Sequence, residues 1–308
     1  MTKKQEQKID STSDKFVNFY KNNYKKLLLV PAILFLISIG FIINTSLNEG
    51  VPIYRDVSLK GGLSAVIDID TQVSSEDLHI HLQDKFTDNS FAVSELFEDG
   101  QKVGFIIDTD LREEELRMNI EKKFETTFEF GDNYSSNFIS PTLSSAFFKQ
   151  AMYILLISFV LMSVVIFMYF RQLVPSGAVV LSAVFDIIVT VGVLNALQFK
   201  ISIAGIGALI MIIGYSIDTD VLLTNRVYKE KGNDYFEKTG FAFKTGVLMS
   251  FTTLVTGIAA MILTNSTVIF EIALILVIGL LVDFISTWFQ NAGILLWWLN
   301  DKDSKKSK

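Results

Sequence analysis

Two acidic residues, Asp218 and Asp220, interrupt a stretch that otherwise has the composition of a membrane-spanning helix. The apolar run from Ile201 to Ile213 precedes them, and the pattern predicts one helix that continues through both. A carboxylate at the centre of a bilayer costs about 2.5–3.5 kcal/mol, so an acid at this depth indicates a functional site by default. Such a group can load and release protons or bind another cation. Ion handling is therefore the first chemistry that the sequence suggests.

Two further acids, Asp186 and Asp283, also lie inside apolar runs. Asp186 is expected at a depth similar to that of Asp218. Asp283 has no motif around it and is expected to be a buried helix–helix hydrogen-bonding residue. The nearest basic residues, Lys244 and Arg226, lie toward the inner ends of their helices. With no Lys or Arg at the centre of any predicted span, a proton relay, a cation site and simple packing all remain open.

The spacing of Asp218 and Asp220 limits how they can cooperate. Residues two apart on a regular helix face nearly opposite ways. We therefore expect that the two do not serve one site unless the helix is locally unwound there.

The composition places these acids in a polytopic α-helical membrane protein. Half of the 308 residues are hydrophobic, 19% are charged and none is Cys, which is unusual for a soluble domain and excludes disulfides. We expect six transmembrane helices. The first apolar run could also be a signal peptide, but its polar leader is long and no small-x-small cleavage site follows. The predicted segments are an N-terminal tail 1–26, helix 27–47, a soluble domain 48–146, a membrane domain 147–299 and a C-terminal tail 300–308.

The soluble domain is predicted to be an α+β, ferredoxin-like module between the first and second transmembrane helices. Alternating and helical apolar periods give the order β-α-β-β-α-β. Asp99-Gly100 predicts a hairpin turn, and residues 126–130 are predicted to be the last strand. His79 and His81 are close together, but we expect neither a metal site nor a cofactor in this chain, and no enzymatic activity.

The charge distribution predicts the orientation. With the N-terminus inside, the inner segments carry 17 Lys and Arg, namely seven in the N-terminal tail, one in the first inner loop, five from 226 to 244 and four after 299, whereas the short outer loops carry only Lys200. The positive-inside rule therefore predicts cytoplasmic termini and an extracytoplasmic domain. Residues 49–149 contain 20 Asp and Glu against nine Lys and Arg. That acidic surface argues against a nucleic-acid partner.

The stretch Gly214-Tyr-Ser-Ile-Asp-Thr-Asp-Val-Leu-Leu-Thr-Asn-Arg226 resembles the fourth-helix motif of the SecF family, which belongs to the RND superfamily. Its Asp-Thr-Asp form resembles that of archaeal members. Asp56-Val-Ser-Leu-Lys-Gly61-Gly62 resembles the Asp-x-x-x-Gly-Gly element that begins the extracytoplasmic domain. Ser182 to Asp186 resembles the third-helix element, and Lys244-Thr-Gly followed by Ser250-Phe-Thr-Thr-Leu resembles the fifth-helix pattern. The resemblance covers about residues 27–299.

This resemblance implies a Sec-translocon accessory subunit that works with SecD and uses the proton gradient to promote protein export. The implied partners are SecD, a SecYE-type translocon, exported polypeptides and membrane lipid. The proton relay would lie at Asp218, Asp220, Asp186 and Lys244. Bacterial members usually read Ile-Asn-Asp-Thr where this chain has Ile217-Asp218-Thr219-Asp220. Because Asp218 aligns with the acid of the related SecD motif, it is the favoured proton carrier.

Three other classes fit parts of the pattern. Half of an RND-type proton-coupled exporter of small molecules or lipids is the main alternative. An intramembrane aspartyl protease also uses two acids on neighbouring helices, but Ala208 follows Gly205-Ile-Gly207 where that class needs Asp. A scaffold that merely holds SecD would tolerate loss of the acids.

Overall fold

The computed structural model describes residues 20–87, 89, 91–98, 101–230, 234–264 and 266–306. Within these residues six helices are long and apolar enough to cross a membrane, as the sequence predicts. The chain is therefore a multi-pass membrane protein. The six spans are Tyr20–Glu49, Pro141–Phe170, Leu173–Ala196, Ile203–Lys229, Tyr235–Leu263 and Thr267–Lys305.

The helices carry the following labels. The first span contains α1, and a single turn, α2, follows it. Helices α3 and α4 belong to the sheet domain, and α5 to α10 build the remaining spans. Two π-helical segments, π1 and π2, interrupt the fourth and sixth spans. The bounds are α1 Leu29–Glu49, α2 Val57–Lys60, α3 Ser75–Lys85, α4 Glu113–Phe124, α5 Pro141–Phe170, α6 Leu173–Ala196, α7 Ile203–Thr224, π1 Asn225–Lys229, α8 Tyr235–Leu263, α9 Thr267–Ile285, π2 Ser286–Asn291 and α10 Ala292–Lys306.

Side chains cap three spans at the ends nearest the sheet domain. Ser140 caps α5 by accepting a hydrogen bond from Leu143 N, and Pro141 follows in the first turn, where its missing N–H costs nothing. Ser202 and Ser266 cap α7 and α9 in the same way. With 30 residues, α5 is about 45 Å long, which exceeds a hydrocarbon core of about 30 Å. Its first turns therefore extend beyond the membrane toward the sheet domain.

The sheet domain lies between the first and second spans and has the predicted β-α-β-β-α-β order. Its four antiparallel strands are β1 Gly62–Asp68, β2 Phe91–Glu98, β3 Gln101–Thr109 and β4 Tyr134–Ile139, arranged in the order β2-β3-β1-β4. This is the ferredoxin-like arrangement. The apolar residues of β1 and β3 pack against α3 and α4; the core includes Leu63, Ala65, Ile67, Leu78, Leu82, Phe105, Ile107, Leu116 and Ile120.

The prediction that residues 126–130 form the last strand is wrong. The last strand is β4, and it pairs with β1. Phe128 is only 3% exposed, so its apolar character serves the core of the domain rather than strand pairing. β4 contains Ser135, Ser136 and Asn137, as a polar edge strand can. The predicted Asp99-Gly100 turn lies outside the described residues.

The membrane domain is built around two central helices. Buried residues make up 61% of the most apolar stretch of α6 and 50% of that of α7 and π1, against 6% for α5 and for α8. Polar side chains on α6 and α7 can therefore be shielded from lipid by the chain itself. The outer faces of α1, α5 and α8 are apolar and exposed, as lipid contact requires.

Main-chain hydrogen bonds attach the sheet domain to the loop between α6 and α7. Ile201 N donates to Tyr54 O at 2.8 Å and Asp56 N donates to Ile201 O at 3.0 Å. Gly61 and Gly62 follow with φ of 90° and 137°. A Cβ on Gly61 would lie 2.6 Å from Pro141 Cα, and one on Gly62 would lie 2.6 Å from Thr109 O. Glycine is therefore required here on both conformational and steric grounds.

Candidate functional site

Three aspartates from three helices meet inside the membrane domain. Asp186 lies on α6, Asp220 on α7 and Asp283 at the end of α9. Their exposed fractions are 0%, 0% and 1%. We call these residues the acid cluster. Its members lie 34 and 63 positions apart in the chain, so only the packing of the helices brings them together.

Asp186 is held by two serine hydroxyls. Ser216, one turn before Asp220 on α7, donates to Asp186 Oδ2 at 2.5 Å. Ser286, the first residue of π2, lies 2.5 Å from Asp186 Oδ1 and 3.1 Å from the backbone carbonyl of Asp283. A hydroxyl has one proton to donate. Ser286 can therefore donate to Asp186 or to the Asp283 carbonyl, but not to both at once.

Thr287 links the other two acids. Its Oγ1 lies 3.0 Å from Asp220 Oδ1 and 3.2 Å from Asp283 Oδ1. Since the hydroxyl can donate to only one carboxyl, the second contact is a hydrogen bond only when that carboxyl itself carries a proton. The arrangement therefore suits one ionised and one protonated carboxyl, with the threonine between them.

Asn291 completes the contacts of Asp220. Its Nδ2 donates to Asp220 Oδ1 at 2.8 Å. The hydroxyl of Ser182 also lies near this carboxyl, although it makes no hydrogen bond within the described residues. The side-chain hydrogen bonds of Asp220 and Asp283 thus come chiefly from π2.

The π-helical segment explains how three of its residues reach the cluster. On an α-helix at about 100° per residue, Thr287 would lie about 40° from Asp283 and Asn291 about 80°. The i→i+5 bonds of a π-helix hold more residues per turn, so they bring Asn291 back toward the line of Asp283 and Thr287. The Tyr20 hydroxyl donates to the backbone carbonyl of Trp288 within this segment. π-Helical turns are frequent at functional sites.

Glycines allow the helices around the cluster to approach closely. A Cβ on Gly279 of α9 would lie 2.3 Å from Ile212 Cδ1 of α7, and one on Gly246 of α8 would lie 2.5 Å from Trp288 Cζ2. Small residues of this kind let transmembrane backbones pack together. Here they bring α9 and π2 within hydrogen-bonding reach of Asp220.

Among the described residues, no basic side chain is paired with the acid cluster. The ion pairs found among the described residues all lie elsewhere, and within the acid cluster the neighbouring charges are the other aspartates. Nor do the described residues contain a group of three or more His, Cys, Asp or Glu arranged to hold a metal ion. Because unpaired buried charge is costly, the cluster cannot hold three ionised carboxylates.

The structure separates the two acids of the fourth span. Asp220 is buried in the cluster, whereas Asp218 lies on the exposed face of the same regular helix. The expectation that the two face different ways is confirmed. Lys244 is also exposed, on α8, and lies outside the cluster. Asp186 joins Asp220, and Asp283 joins them through Thr287.

The remaining motif residues have structural positions. Asp56 directly precedes α2 as its N-cap residue, and its N–H donates to Ile201 O. Gly61 and Gly62 allow the close backbone contacts with Pro141 and Thr109 described above. Gly214 lies on the exposed face of α7, where an added Cβ would meet nothing within 4 Å. Arg226 is half-buried in π1.

The hydroxyl and amide partners in π2 were not predicted. The signal was present in the sequence as Asp283, Ser286, Thr287 and Asn291, a polar series within the last apolar run. Positions three, four and eight residues after Asp283 recur on roughly one side of a helix. That series would have assigned Asp283 to a polar group rather than to isolated packing.

A second pair of acids lies where the sheet domain meets the membrane domain. The Asp108 side chain, on β3, is hydrogen-bonded to Asp56. Burial, together with the nearby charge of Asp56, raises the pKa of Asp108 to about 6. A hydrogen bond from Ser64 and the charge of Lys200 oppose this rise. We call Asp56 and Asp108 the junction pair.

A family model and two similar proteins all point to the same family of protein-export membrane proteins. A sequence model of the protein export membrane protein SecD/SecF C-terminal family matches residues 119–301. The chain is 34% identical to the protein-export membrane protein SecF of Methanothermobacter thermautotrophicus, over 90% of this chain and 93% of the relative. It is 32% identical to SecF of Methanocaldococcus jannaschii, over 92% of this chain and 99% of the relative.

Among solved structures, the chain is similar to SecDF, a translocon-associated membrane protein from Thermus thermophilus. The TM-score is 0.73 at 18% identity, and the match covers 91% of this chain. The chain spans 38% of the length of that SecDF. A second structure, SecDF in a super-membrane-facing form, gives a TM-score of 0.57 at 17% identity. At these identities the likeness concerns the fold alone.

Proposed function

The chain belongs to the SecF family of protein-export membrane proteins, and from this premise we propose that it is an accessory subunit of a Sec translocon that couples the proton gradient to export. It acts with a SecD-type subunit on polypeptides that cross a SecYE-type translocon. The observation that carries the coupling is the acid cluster, which consists of three buried carboxyl groups supplied with hydroxyl and amide partners and without a paired cation in the described residues.

The hydrogen bonds supply a route for protons between the acids. A protonated Asp283 donates to Thr287 Oγ1 while the Thr287 hydroxyl donates to an ionised Asp220. If both protons shift along these bonds, Asp220 gains a proton and Asp283 loses one, and no charge leaves the cluster. Ser286 offers Asp186 a second exchange partner. Asp220, Asp186 and Asp283 are therefore the proposed proton carriers, with Asp220 at the centre.

Asp218 and Lys244 have a different proposed role. Both are exposed on membrane-spanning helices, and a charged group that faces lipid is costly. We assign them to the surface that the SecD-type subunit covers. There Asp218 would remain an alternative proton carrier at the interface between subunits, and Lys244 its basic neighbour.

The proposed orientation places both termini in the cytoplasm and the sheet domain outside. The excess of Lys and Arg in the segments on one side supports it. The acid cluster then lies between the cytoplasm and the junction pair, and the junction pair faces the side from which protons would enter. Lipid contacts are expected along the apolar outer faces of α1, α5 and α8.

The test is gradient-dependent secretion in cells that carry single substitutions, together with the SecD-type partner. Asp220→Asn keeps the side-chain shape and removes the titratable group, so we expect it to lose the gradient-stimulated part of export, at least about tenfold. Asp218→Asn is the matched variant two residues away. We expect it to affect co-purification with the partner more than export by assembled complexes.

Each other outcome has a defined meaning. Normal gradient-stimulated export in both variants, with the complex assembled, would refute proton coupling through this helix. Loss in Asp218→Asn alone would move the carrier to the exposed face. Intact export with collapsed small-molecule efflux would favour the exporter class.

A further inference from the structure

Asp220 and Asn291 form half of a pair that only a protonated carboxyl can complete. One hydrogen bond is present, from Asn291 Nδ2 to Asp220 Oδ1 at 2.8 Å. The two atoms that would form the other, Asp220 Oδ2 and Asn291 Oδ1, are both buried, and neither has a hydrogen-bond partner among the described residues. Buried polar atoms without partners are rare in folded proteins. Here two of them belong to side chains already joined by a hydrogen bond.

The chemistry of the two groups explains why the second bond is missing. An ionised carboxylate can only accept hydrogen bonds, and the amide oxygen can also only accept. A proton on Asp220 Oδ2 changes this, because the resulting hydroxyl can donate to Asn291 Oδ1. The acid and the amide then form a two-bond ring in which every polar atom of the pair has a partner.

We propose that Asn291 is a positioning residue that recognises the protonated state of Asp220 and transmits it to π2. The inference rests on the proposed role of Asp220 as a proton carrier and goes beyond it. When the proton occupies Asp220 Oδ2, rather than the Oδ1 that Thr287 contacts, the pair closes through both bonds. When it leaves, Asp220 Oδ2 and Asn291 Oδ1 can both only accept hydrogen bonds, and the amide is held by the Nδ2 bond alone.

The surroundings of Asp220 fit a two-state response. The charged groups that face it are Asp283 on α9 and Asp186 on α6, and Asp218 on its own helix points away. The Ser182 hydroxyl lies near the carboxyl and is unpaired in the described part of the chain. An ionised Asp220 can accept a hydrogen bond from this hydroxyl. On protonation, Asp220 therefore exchanges a hydrogen bond from Ser182 on α6 for one to Asn291 in π2.

The consequence for the backbone follows from the place of Asn291 at the end of π2. The segment ends there and α10 begins with Ala292. Asn291 makes one hydrogen bond to ionised Asp220 and two to protonated Asp220. Protonation therefore strengthens the attachment of Asp220 to the junction between π2 and α10. Proton binding at α7 therefore alters the support of the π-helical segment in the last span.

Infrared difference spectroscopy of the reconstituted complex tests this directly. The complex of the full chain with its SecD-type partner carries 13C-labelled asparagine side chains and is titrated from alkaline to acidic buffer. As the Asp220 carboxylic acid band appears, we expect the Asn291 amide carbonyl band to shift to lower wavenumber, because that carbonyl then accepts a hydrogen bond. Asn291→Leu identifies the amide band and Asp220→Asn should abolish its shift.

Two further variants separate this inference from the proposed function and from misfolding. Gln290→Leu removes the neighbouring amide and should leave the Asn291 band shift intact. The exchange Asp220→Asn with Asn291→Asp rebuilds an acid–amide pair with the roles reversed, so it should restore gradient-stimulated export about tenfold over either single variant.

The outcomes are distinct. An Asp220 acid band that titrates while the Asn291 amide band stays fixed refutes the sensing role and leaves proton carriage by Asp220 in place. An Asp220 band that never titrates in an assembled complex refutes the proposed function itself. If the exchanged pair folds and assembles but exports no better than the single variants, reciprocal pairing is also refuted.

Discussion

The acid cluster in the membrane and the junction pair outside it bring carboxyl groups together by different means. In the cluster, hydroxyls and an amide from α7 and π2 surround three fully buried acids. In the junction pair, two partly buried acids share a hydrogen bond, with Ser64 and the charge of Lys200 nearby. Around the acid cluster, the hydrogen-bond donors are all neutral hydroxyl and amide groups. At the junction pair, the charge of a basic residue, Lys200, acts as well.

This difference predicts where removal of neutral donors should matter most. Replacing both Ser286→Ala and Thr287→Val leaves the cluster with carboxyls that have lost their main donors. A hydrogen bond to a charged group contributes about 1.5–3 kcal/mol, so we expect a loss of about 3–6 kcal/mol in unfolding free energy. Equilibrium unfolding in mixed detergent micelles measures it.

The matched control is Thr252→Val on α8, whose hydroxyl donates to the carbonyl of Met249 on an exposed face. It should change stability by less than about 0.5 kcal/mol. A loss below about 1 kcal/mol in the double variant would mean that the cluster does not depend on π2 for its hydrogen bonds.

At the junction pair, we expect the stability of the protein to depend on pH rather than on a hydroxyl donor. The raised pKa means that folded Asp108 holds its proton more tightly than the unfolded chain, whose reference value is 3.8. The resulting stabilisation is complete below that value and is lost as the pH rises through about 6. The total amounts to at most about 3 kcal/mol.

Asp108→Asn should remove this dependence because the amide cannot ionise. We expect the variant to be more stable than the parent above the raised pKa of about 6 and its melting temperature to change less between acidic and neutral buffer. Thermal melts over that range provide the measurement, with exposed Asp68→Asn as control. Parallel curves for parent and Asp108→Asn would contradict the assignment.

The smallest expected effect compares the two acids of the fourth span. Asp218 is exposed on α7, so Asp218→Asn should change the stability of the isolated chain by less than about 0.5 kcal/mol. Its effect should appear only when the SecD-type partner is present, as weaker co-purification. A large loss of stability in the isolated chain would place Asp218 inside the fold rather than on a surface.

The sequence predicts the architecture well because long apolar runs and alternating strands depend on local patterns. Six spans and the β-α-β-β-α-β order follow from those patterns. β4 was missed because an edge strand pairs on one side only and needs little apolar character. Residues 126–130 were predicted to be a strand because Phe128 is apolar. Phe128 instead packs in the core of the domain from a loop.

The site was predicted only in part because it depends on packing. Period and spacing could separate the directions of Asp218 and Asp220, since both lie on one helix. They could not show which direction faces the protein interior. The convergence of Asp283 and Asn291 on Asp220 depends further on π2, which shifts the helical phase in a way that a regular period does not predict.

The hydrogen bond from Tyr20 to Trp288 has a consequence for the time at which the site is completed. The two residues are separated by 268 positions. At about 5–20 residues per second, a ribosome needs on the order of 10–60 seconds to make the chain between them. The first span thus enters the bilayer well before its partner exists. Until the sixth span arrives, Asp186 and Asp220 lack their π2 donors, so a newly made chain is without a complete acid cluster throughout that interval.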